Sequence, residues 1–140
     1  MSIEMDGIDK ILKKVMSMGR EEEYKVALGK ACALVERAAK EKAPKGNGDL
    51  RRSITSEVRE EGGNLEGVVF TPLEYAPYVE YGTGLFAESE GRTDVPWCYQ
   101  DDEGKWHSTS GMKPTPFMRP ALNENREEIL RILMEAIKDD

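Results

Sequence analysis

Cys98 and His107 are the two side chains best suited to nucleophilic chemistry, because a thiol needs a nearby base and His107 is the only histidine. Residues 101–104 are typical of a tight turn, which predicts a hairpin with Cys98 opposite His107. The same register pairs Tyr99 with Trp106 and Gln100 with Lys105. Opposed side chains lie about 5 Å apart at Cβ, so the thiol and the imidazole would meet. No sequence feature supplies an orienting group or an oxyanion site, and we therefore expect no catalytic residue and no enzyme.

Three other patterns are weak signs of a cofactor or metal site. Gly82, Gly84 and Ala87 spell G-x-G-x-x-A, but neither a buried strand before them nor a helix after them is predicted, as a dinucleotide site requires. The acidic residues 101–103 lack the spaced oxygen ligands of a calcium loop. Two cysteines and one histidine far apart in the sequence match no zinc-ligand spacing. We expect no cofactor and no metal.

The elements that position these residues are helical at both ends of the chain. Apolar residues at helical spacing predict a short helix up to about Met18, a main helix over Glu21 to Ala43 and a last helix over Pro120 to Lys138. Three glutamates in the first turn favour the start of the main helix, because its dipole stabilises negative charge there. Pro44 disfavours the α conformation at Ala43 and ends it.

Between the helices the hydrophobic period changes to that of strands. Alternation over residues 53–58 and the apolar run of residues 65–71 predict two strands, joined by a turn at residues 62–64. A second strand pair is predicted over residues 97–100 and 105–108. The expected fold class is α+β, with two or three helices packed on a small antiparallel sheet and an extra β-hairpin. We expect the sheet to include both strand pairs.

Length and charge bound the functional class. At 140 residues and 15.7 kDa the chain suits one domain over residues 1–140, with residues 1–19 as an N-terminal helix. The net charge of −7 disfavours proteins that hold nucleic acid through phosphates. No apolar run is long enough for a membrane span, and Glu4 and Asp6 disfavour a signal peptide. Two cysteines without a C-x-x-C pair fit a reducing compartment, so we expect folding in a cytoplasm.

The most informative segment runs from Tyr75 to Gly84 and contains three of the five tyrosines. A tyrosine has a large apolar body and one polar tip, so the cluster suits either a core corner or an interface. The three tyrosines cannot share one face of a strand, but they fit a helical turn. The loop from Leu85 to Asp94 has few apolar residues, which predicts a mobile surface loop that a partner would order.

Three motifs taken together resemble the tail-completion family of long-tailed bacteriophages and prophages, also described as minor tail or head-tail joining proteins. They are Ala43-Pro44 with Gly48 to Ile54, then Tyr75 to Gly84, and then Pro116 to Leu122. The similarity covers about residue 21 to the C-terminus, so residues 20–140 form a tail-completion-like domain. The resemblance implies a structural virion protein that completes the tail or neck and joins the tail to the head.

The resemblance also implies partners and a location. These are other phage neck and tail proteins (a connector, a tail terminator or a tail tube), and the protein would be located in the virion neck or tail. One domain of this size, with a radius of gyration of about 14 Å, is too small to surround duplex DNA, so a ring of several copies is expected. We expect no membrane partner and no sequence-specific nucleic-acid binding.

Two groups of residues follow from these arguments. The expected partner interface comprises Tyr75, Tyr78, Tyr81, Thr83, Leu85, Phe86, Glu88 and Arg92. The family-motif residues, expected to be structural, are Pro44, Gly48, Leu50, Arg51, Ser53, Pro77, Glu80, Gly82, Pro116, Phe117, Arg119 and Pro120. We interpret Arg51 and Arg119 as structural or interface residues, because the chain has an excess of carboxylates to pair with. Phosphate contact is the alternative for both arginines.

Two other classes of function remain open at this point. One is a bacterial regulatory or toxin-like protein-binding module, and the other is a small hydrolase that uses Cys98 and His107. Neighbouring portal, connector and tail-tube genes would favour the virion protein over the binding module. Loss of Cys98 without any effect on phage assembly would exclude the hydrolase.

Overall fold

Helices and antiparallel strands alternate along the chain in the α+β arrangement predicted above. The structure is a computed structural model that describes residues 1–3, 8–46, 48–62, 64–88 and 95–138, with the side chains of residues 3, 8–12 and 61 left out. Its elements in chain order are β1 (Ser2–Ile3), α1 (Ile8–Met18), α2 (Glu21–Lys42), α3 (Asp49–Ser53), β2 (Thr55–Glu61), β3 (Asn64–Phe70), α4 (Ala76–Tyr81), β4 (Trp97–Gln100), β5 (Trp106–Thr109), α5 (Met118–Asn123) and α6 (Arg126–Glu135). A 3₁₀ turn covers Gly84–Phe86.

Residue contacts divide the chain into two units. The first unit comprises Met1–Pro72 and Phe117–Asp140, and the second unit is Leu73–Pro116. The expectation of one domain over residues 1–140, with residues 1–19 as an N-terminal helix, stays a prediction.

Helix α2 is the centre of the first unit. It packs against β2, β3, α5 and α6, and it buries Tyr24, Leu28 and Val35 on the side that faces them. Ala43 has extended backbone angles, as its position before Pro44 requires, and its amide still donates to the Ala39 carbonyl at 2.9 Å. The predicted main helix is therefore confirmed.

The sheet of the first unit has three antiparallel strands in the order β1-β3-β2. Thr55 pairs with Phe70 and Glu61 with Asn64, so the first predicted hairpin is confirmed. The third strand is β1, whereas we expected the second hairpin to join this sheet. Strands β4 and β5 instead form a separate two-stranded sheet. This is the extra hairpin of the predicted fold class.

A short helix, α3, precedes β2 and was not predicted. Gly48 stands before it with φ of +84°, a conformation that glycine adopts at little cost, and Leu50 is buried. The Ser53 hydroxyl donates to the Leu50 carbonyl at 2.6 Å and lies 2.7 Å from the Thr71 hydroxyl. The predicted start of the strand at Ser53 is wrong, because these bonds hold Ser53 in the last turn of α3.

The C-terminal segment forms two helices, so the single helix predicted over Pro120 to Lys138 is wrong. Helix α5 begins at Met118 and includes Pro120 in its first turn. First-turn amides have no helical acceptor, so the missing N–H of proline costs no hydrogen bond there. The Asn125 side chain donates to the Ala121 carbonyl at 2.8 Å, and Asn125 leaves helical backbone geometry. Helix α6 then restarts at Arg126 and packs mainly on α2.

The second unit contains α4, the 3₁₀ turn and the hairpin of β4 and β5. The hairpin pairs Tyr99 with His107 and Cys98 with Ser108, so the predicted register is wrong by one residue. The last paired residues are Gln100 and Trp106, so the loop comprises residues 101–105. Within it Gly104 adopts φ of +82°, and the Asp101 amide donates to the Lys105 carbonyl at 2.9 Å.

None of the helices in the described part of the chain is both long and apolar enough to cross a membrane.

Candidate interaction surface

Exposed aromatic side chains are concentrated in the second unit, which contains seven of the ten aromatic residues. We define the tyrosine segment as residues 75–88. Its exposed large side chains are Tyr75, Tyr78, Tyr81, Leu85 and Phe86, and Tyr78 has the largest exposed fraction among them, 58%. The alternative in which the three tyrosines belong to the core is therefore wrong. Their role as a partner interface stays a prediction.

Helix α4 explains why the tyrosines are exposed together. Tyr75, Tyr78 and Tyr81 recur every third residue, which places them on neighbouring positions of one helical face. The other face buries Ala76, Val79 and Glu80. Pro77 fits at the start of the helix because the first-turn amides need no helical partner.

Three glycines fix the backbone on which the tyrosines stand. Gly82, Gly84 and Gly111 all have positive φ, and each approaches neighbouring backbone closely. A Cβ at Gly84 would lie 2.3 Å from the Ser110 carbonyl oxygen, and a Cβ at Gly111 would lie 2.1 Å from the Thr83 carbonyl oxygen. Only glycine fits these positions without a shift of the backbone.

Hydrogen bonds join the same two backbone segments. The Thr83 amide donates to the Met112 carbonyl at 2.9 Å, and the Met112 amide donates to the Thr83 hydroxyl at 2.8 Å. The Leu85 amide donates to the Ser110 carbonyl at 3.0 Å, and the Thr115 amide donates to the Val79 carbonyl at 2.7 Å. Thr83 therefore holds the tyrosine segment to the segment around Met112, and it is also one of the residues expected at the interface.

The acidic residues of the tyrosine segment differ in exposure. Glu80 is completely buried, whereas Glu88 is exposed and its amide donates to the Tyr81 carbonyl at 3.0 Å. Arg92, together with the rest of the loop up to Asp94, lies outside the described residues. The prediction that this loop is mobile therefore concerns residues that the structure does not describe.

The hairpin of the second unit carries a polar cluster at its tip. The Asp101 carboxylate accepts hydrogen bonds from the amides of Glu103 and Lys105 at 3.0 and 2.8 Å, and its Oδ2 lies 2.7 Å from His107 Nε2. These bonds, the one with His107 first, lower the pKa of Asp101 below its ordinary value. His107 also stacks on Tyr99, with 5.3 Å between the ring centroids.

The Cys98–His107 pair considered above does not form. Because Tyr99 is opposite His107, Cys98 and His107 project from opposite faces of the hairpin. Asp101, not Cys98, is the hydrogen-bond partner of the imidazole. Among the described residues no group of three His, Cys, Asp or Glu side chains is arranged to hold a metal ion.

The first group of motif residues surrounds α3. Leu50 is buried, Pro44 is exposed, and Gly48 and Ser53 stand at the two ends of the helix. The Arg51 guanidinium donates to the Ala43 carbonyl at 3.3 Å across the turn. This bond fits the structural role predicted for Arg51.

The last group of motif residues leads into α5. Phe117 is completely buried and stands just before the helix, while Arg119 and Pro120 are half-buried. Pro116 is exposed at the end of the second unit.

Some exposed side chains of the second unit were not among the predicted interface residues. Trp106 is exposed over 67% of its surface, and Tyr99 and Met112 are also exposed. The predicted register placed Trp106 on the same face as Tyr99, so it did not indicate this exposure. The observed register places Trp106 with Cys98, Gln100 and Ser108.

The second unit is also acidic. Its sequence contains eight Asp and Glu residues against three Lys and Arg residues, which accounts for most of the net charge of −7. Its surface therefore combines exposed aromatic groups with negative charge, and it favours partners that offer basic groups beside apolar ones.

A comparison with protein families gives one match. The model of the HK97-gp10-like family, described as "Bacteriophage HK97-gp10, putative tail-component", matches residues 6–82, which is more than half of the chain. The matched segment covers most of the first part of the chain and includes the tyrosines of α4 up to Gly82. No match was found among curated proteins or among solved structures.

Proposed function

Because the chain belongs to the HK97-gp10-like family of bacteriophage tail components, we propose that it completes the tail at the neck and joins the tail to the head. Several copies would form a ring around the DNA channel. A tail component is a structural protein of the virion, so this chain acts by binding other tail proteins. It folds in the cytoplasm of the host bacterium and ends in the neck or tail of the particle.

The observation that carries the proposal is the tyrosine segment, whose three tyrosines lie within the family-matched region. Exposed tyrosines on a backbone fixed by close glycine contacts and hydrogen bonds form a rigid apolar surface. Rigid aromatic side chains bind partners at a low cost in conformational entropy, and they are enriched among residues that dominate interface energies. The partners in this proposal are the connector, the tail terminator or the tail tube.

The negative charge suits a component that lines or surrounds a DNA channel. An acidic surface repels phosphates, so DNA passes without being held. Arg51 and Arg119 serve the fold or an interface in this proposal, and they make no phosphate contact.

Deletion of the gene from the phage or prophage that encodes it tests the proposed function. We expect filled heads and separate tails in electron micrographs, and recovery of joined particles when the wild-type protein is supplied in trans. Joined, infectious particles from the deletion strain would contradict the proposal.

A substitution separates the interface from the fold. Tyr78→Ser removes the most exposed tyrosine of α4, and we expect an unchanged Tm with about thirtyfold weaker partner binding, the effect of losing about 2 kcal/mol at an interface hot spot. The readout is plaque titre in trans complementation. Met134→Ser is the matched control, because Met134 is a comparably exposed residue of α6. Equal titres for Tyr78→Ser and the control would exclude Tyr78 from the interface.

A further inference from the structure

One face of the β4–β5 hairpin is exposed along its whole length. The observed register places Cys98, Gln100, Trp106 and Ser108 on this side, and all four side chains are exposed. We call these four residues the hairpin face. Trp106 is the most exposed large hydrophobic side chain among the described residues, at 67%. Tryptophan is the residue type most enriched at interface hot spots, so this face has the composition of a binding surface.

The tip of the hairpin gives this surface a charge. Asp102 and Glu103 are exposed at the turn beside the half-buried Asp101, and the exposed Lys105 follows them in the sequence. The Asp101 carboxylate is occupied by backbone amides and His107, which leaves Asp102 and Glu103 to face a partner. A complementary surface must offer cations to the carboxylates and to the ring of Trp106, together with small apolar side chains.

A surface of that description lies on α2 of the same chain. Val26, Lys30, Ala33 and Arg37 are spaced by four, three and four residues, which aligns them along one side of the helix, and all four are exposed. We call these residues the basic stripe. Val26 is exposed over 60% of its surface, although it belongs to the longest helix of the first unit.

The cations of the basic stripe are available for a partner. Other basic residues of α2 pair within the chain, as Lys25 does with Glu60 at 2.8 Å and Lys40 with Glu36 at 3.7 Å. Among the described residues, neither Lys30 nor Arg37 has an ion-pair partner. Lysine and arginine side chains on either side of an exposed alanine fit a protruding tryptophan flanked by carboxylates.

We propose that the basic stripe of one copy binds the hairpin face and the acidic tip of the next copy. The inference rests on the ring of the proposed function and names the surfaces that join its subunits. Two hairpin tips repel each other, and so do two basic stripes, because each pair has like charges. Association of opposite surfaces is heterologous, and a heterologous contact that closes by rotation generates a ring.

Cross-linking through the native thiols tests which surfaces meet. Cys98 lies on the hairpin face and is exposed, whereas Cys32 is buried and burial raises its pKa to about 11, so Cys32 does not react. A tagged Ala33→Cys/Cys98→Ser variant, which carries its reactive thiol on the basic stripe, is mixed with the untagged wild type and treated with a short bismaleimide. The control replaces Ala33→Cys with Lys45→Cys, at an exposed turn residue.

We expect a covalent dimer of one tagged and one untagged chain, formed in excess over the control and over dimers of identical chains. A yield no higher than that of Lys45→Cys/Cys98→Ser would overturn the proposal. Predominant cross-linking of two wild-type chains would also overturn it, because hairpin faces would then meet each other.

Charge reversal gives an independent test in solution. We expect Lys30→Glu/Arg37→Glu to abolish self-association in sedimentation at low salt, and further Asp102→Lys/Glu103→Lys substitutions in the same chain to restore it. Lys45→Glu/Lys138→Glu has the same change in net charge at exposed residues outside the stripe and should leave association intact. Thermal unfolding of each variant confirms that it is folded.

The proposed subunit contact would be overturned if the fourfold variant did not recover self-association. It would also be overturned if the control variant lost self-association to the same extent as Lys30→Glu/Arg37→Glu. Either result leaves the proposed head-tail joining role standing if the gene deletion still separates heads from tails. Joined particles from the deletion strain would instead reject the joining role itself.

Discussion

Thr83 and Met112 are linked by two hydrogen bonds, since the Thr83 amide donates to the Met112 carbonyl at 2.9 Å and the Met112 amide donates to the Thr83 hydroxyl at 2.8 Å. Both bonds lie within the second unit, where they tie the end of α4 to the segment that follows β5. The exposed tyrosines therefore stand on a backbone with a defined geometry. A surface with fixed geometry loses little entropy on binding.

Gly84→Ala should unfold the second unit at lower denaturant concentration. Gly84 has φ of +61°, and its added Cβ would lie 2.3 Å from the Ser110 carbonyl oxygen. We expect a loss of about 2–4 kcal/mol, from the left-handed backbone and from overpacking together. Urea unfolding followed by tryptophan fluorescence measures it, because Trp97 and Trp106 both lie in this unit.

Gly104→Ala is the matched control for Gly84→Ala, because Gly104 lies in the same unit and tryptophan fluorescence therefore reports on both variants. Gly104 has φ of +82°, and an added Cβ would make an ordinary contact at 3.5 Å with the Gln100 side-chain nitrogen, so its cost is that of the backbone alone, about 1 kcal/mol. Equal losses at the two positions would show that the contact between Gly84 and Ser110 is unimportant for stability.

Gly67→Ala and Cys32→Ala should be strongly coupled. A Cβ at Gly67 would lie 2.4 Å from the Cys32 sulfur and 3.1 Å from a Leu28 methyl carbon. Gly67→Ala alone should cost about 1–3 kcal/mol through overpacking. The double variant should lose less than the two single losses added together, because the sulfur is gone. Additive losses in a double-mutant cycle would refute the contact.

The two thiols should differ in reactivity and in their effect on stability. At pH values below 9.0, a thiol reagent should label Cys98 in the native chain and Cys32 only after unfolding, because burial raises the pKa of Cys32 from 9.0 to about 11. The folded state holds this proton more tightly than the unfolded state. The stabilisation is complete below about pH 9 and is lost as the pH rises toward 11.

The corresponding measurement compares unfolding free energies of the wild type and Cys32→Ala across that range of pH. The difference in unfolding free energy between the wild type and Cys32→Ala should become smaller above pH 9.0. Rapid labelling of two thiols in the native chain would contradict the burial of Cys32.

The pKa of Asp101 should rise when the His107 side chain is removed. The hydrogen bond with His107 and those from the Lys105 and Glu103 amides lower the pKa of Asp101, so His107→Ala should raise that pKa toward 3.8. Because the pKa is lower in the folded state, the interaction stabilises the fold above the ordinary carboxyl pKa and is lost as the pH falls through the folded value. Carbon NMR of the carboxyl group measures the shift.

Ser108→Ala is the control for the Asp101 titration. Ser108 lies on the opposite face of the hairpin from His107, so its replacement should leave the pKa of Asp101 unchanged. Equal shifts in the two variants would assign the effect to the hairpin backbone and not to the imidazole.

Long periodic segments made the first unit largely predictable. The apolar spacing of residues 21–43 and the alternation of residues 53–58 each reflect burial of one face, which appears in the sequence as a regular period of apolar residues. Short elements contain too few residues to show a period. Helix α3 has five residues, and the break at Asn125 depends on a side chain that bonds the Ala121 carbonyl.

The hairpin register shows why part of the site escaped prediction. A turn after Gln100 was evident from the acidic residues and Gly104. Its conformation depends on the left-handed backbone of Gly104 and on the hydrogen bonds that the Asp101 carboxylate accepts from the Glu103 and Lys105 amides. A shift of one residue exchanges the two faces of a strand. It separated Cys98 from His107 and placed Trp106 on the exposed face.

The tyrosine segment was predicted as a partner interface, but the sequence did not show which of its residues are buried. Spacing indicated that Tyr75, Tyr78 and Tyr81 share a helical turn, and it left open which side of that turn is buried. Burial of Ala76, Val79 and Glu80 decides the matter. Glutamate is rarely found fully buried, so Glu80 would not have been assigned to the buried side from its residue type.

Electron microscopy of purified particles with a gold label on this protein shows whether it occupies the junction of head and tail. The label binds a tag at the C-terminus of a chain that complements the gene deletion. We expect label at the junction of head and tail in joined particles, and none along the tail shaft or on the capsid. Joined, infectious particles that carry no label there, while the tag is detectable in the lysate, would contradict it.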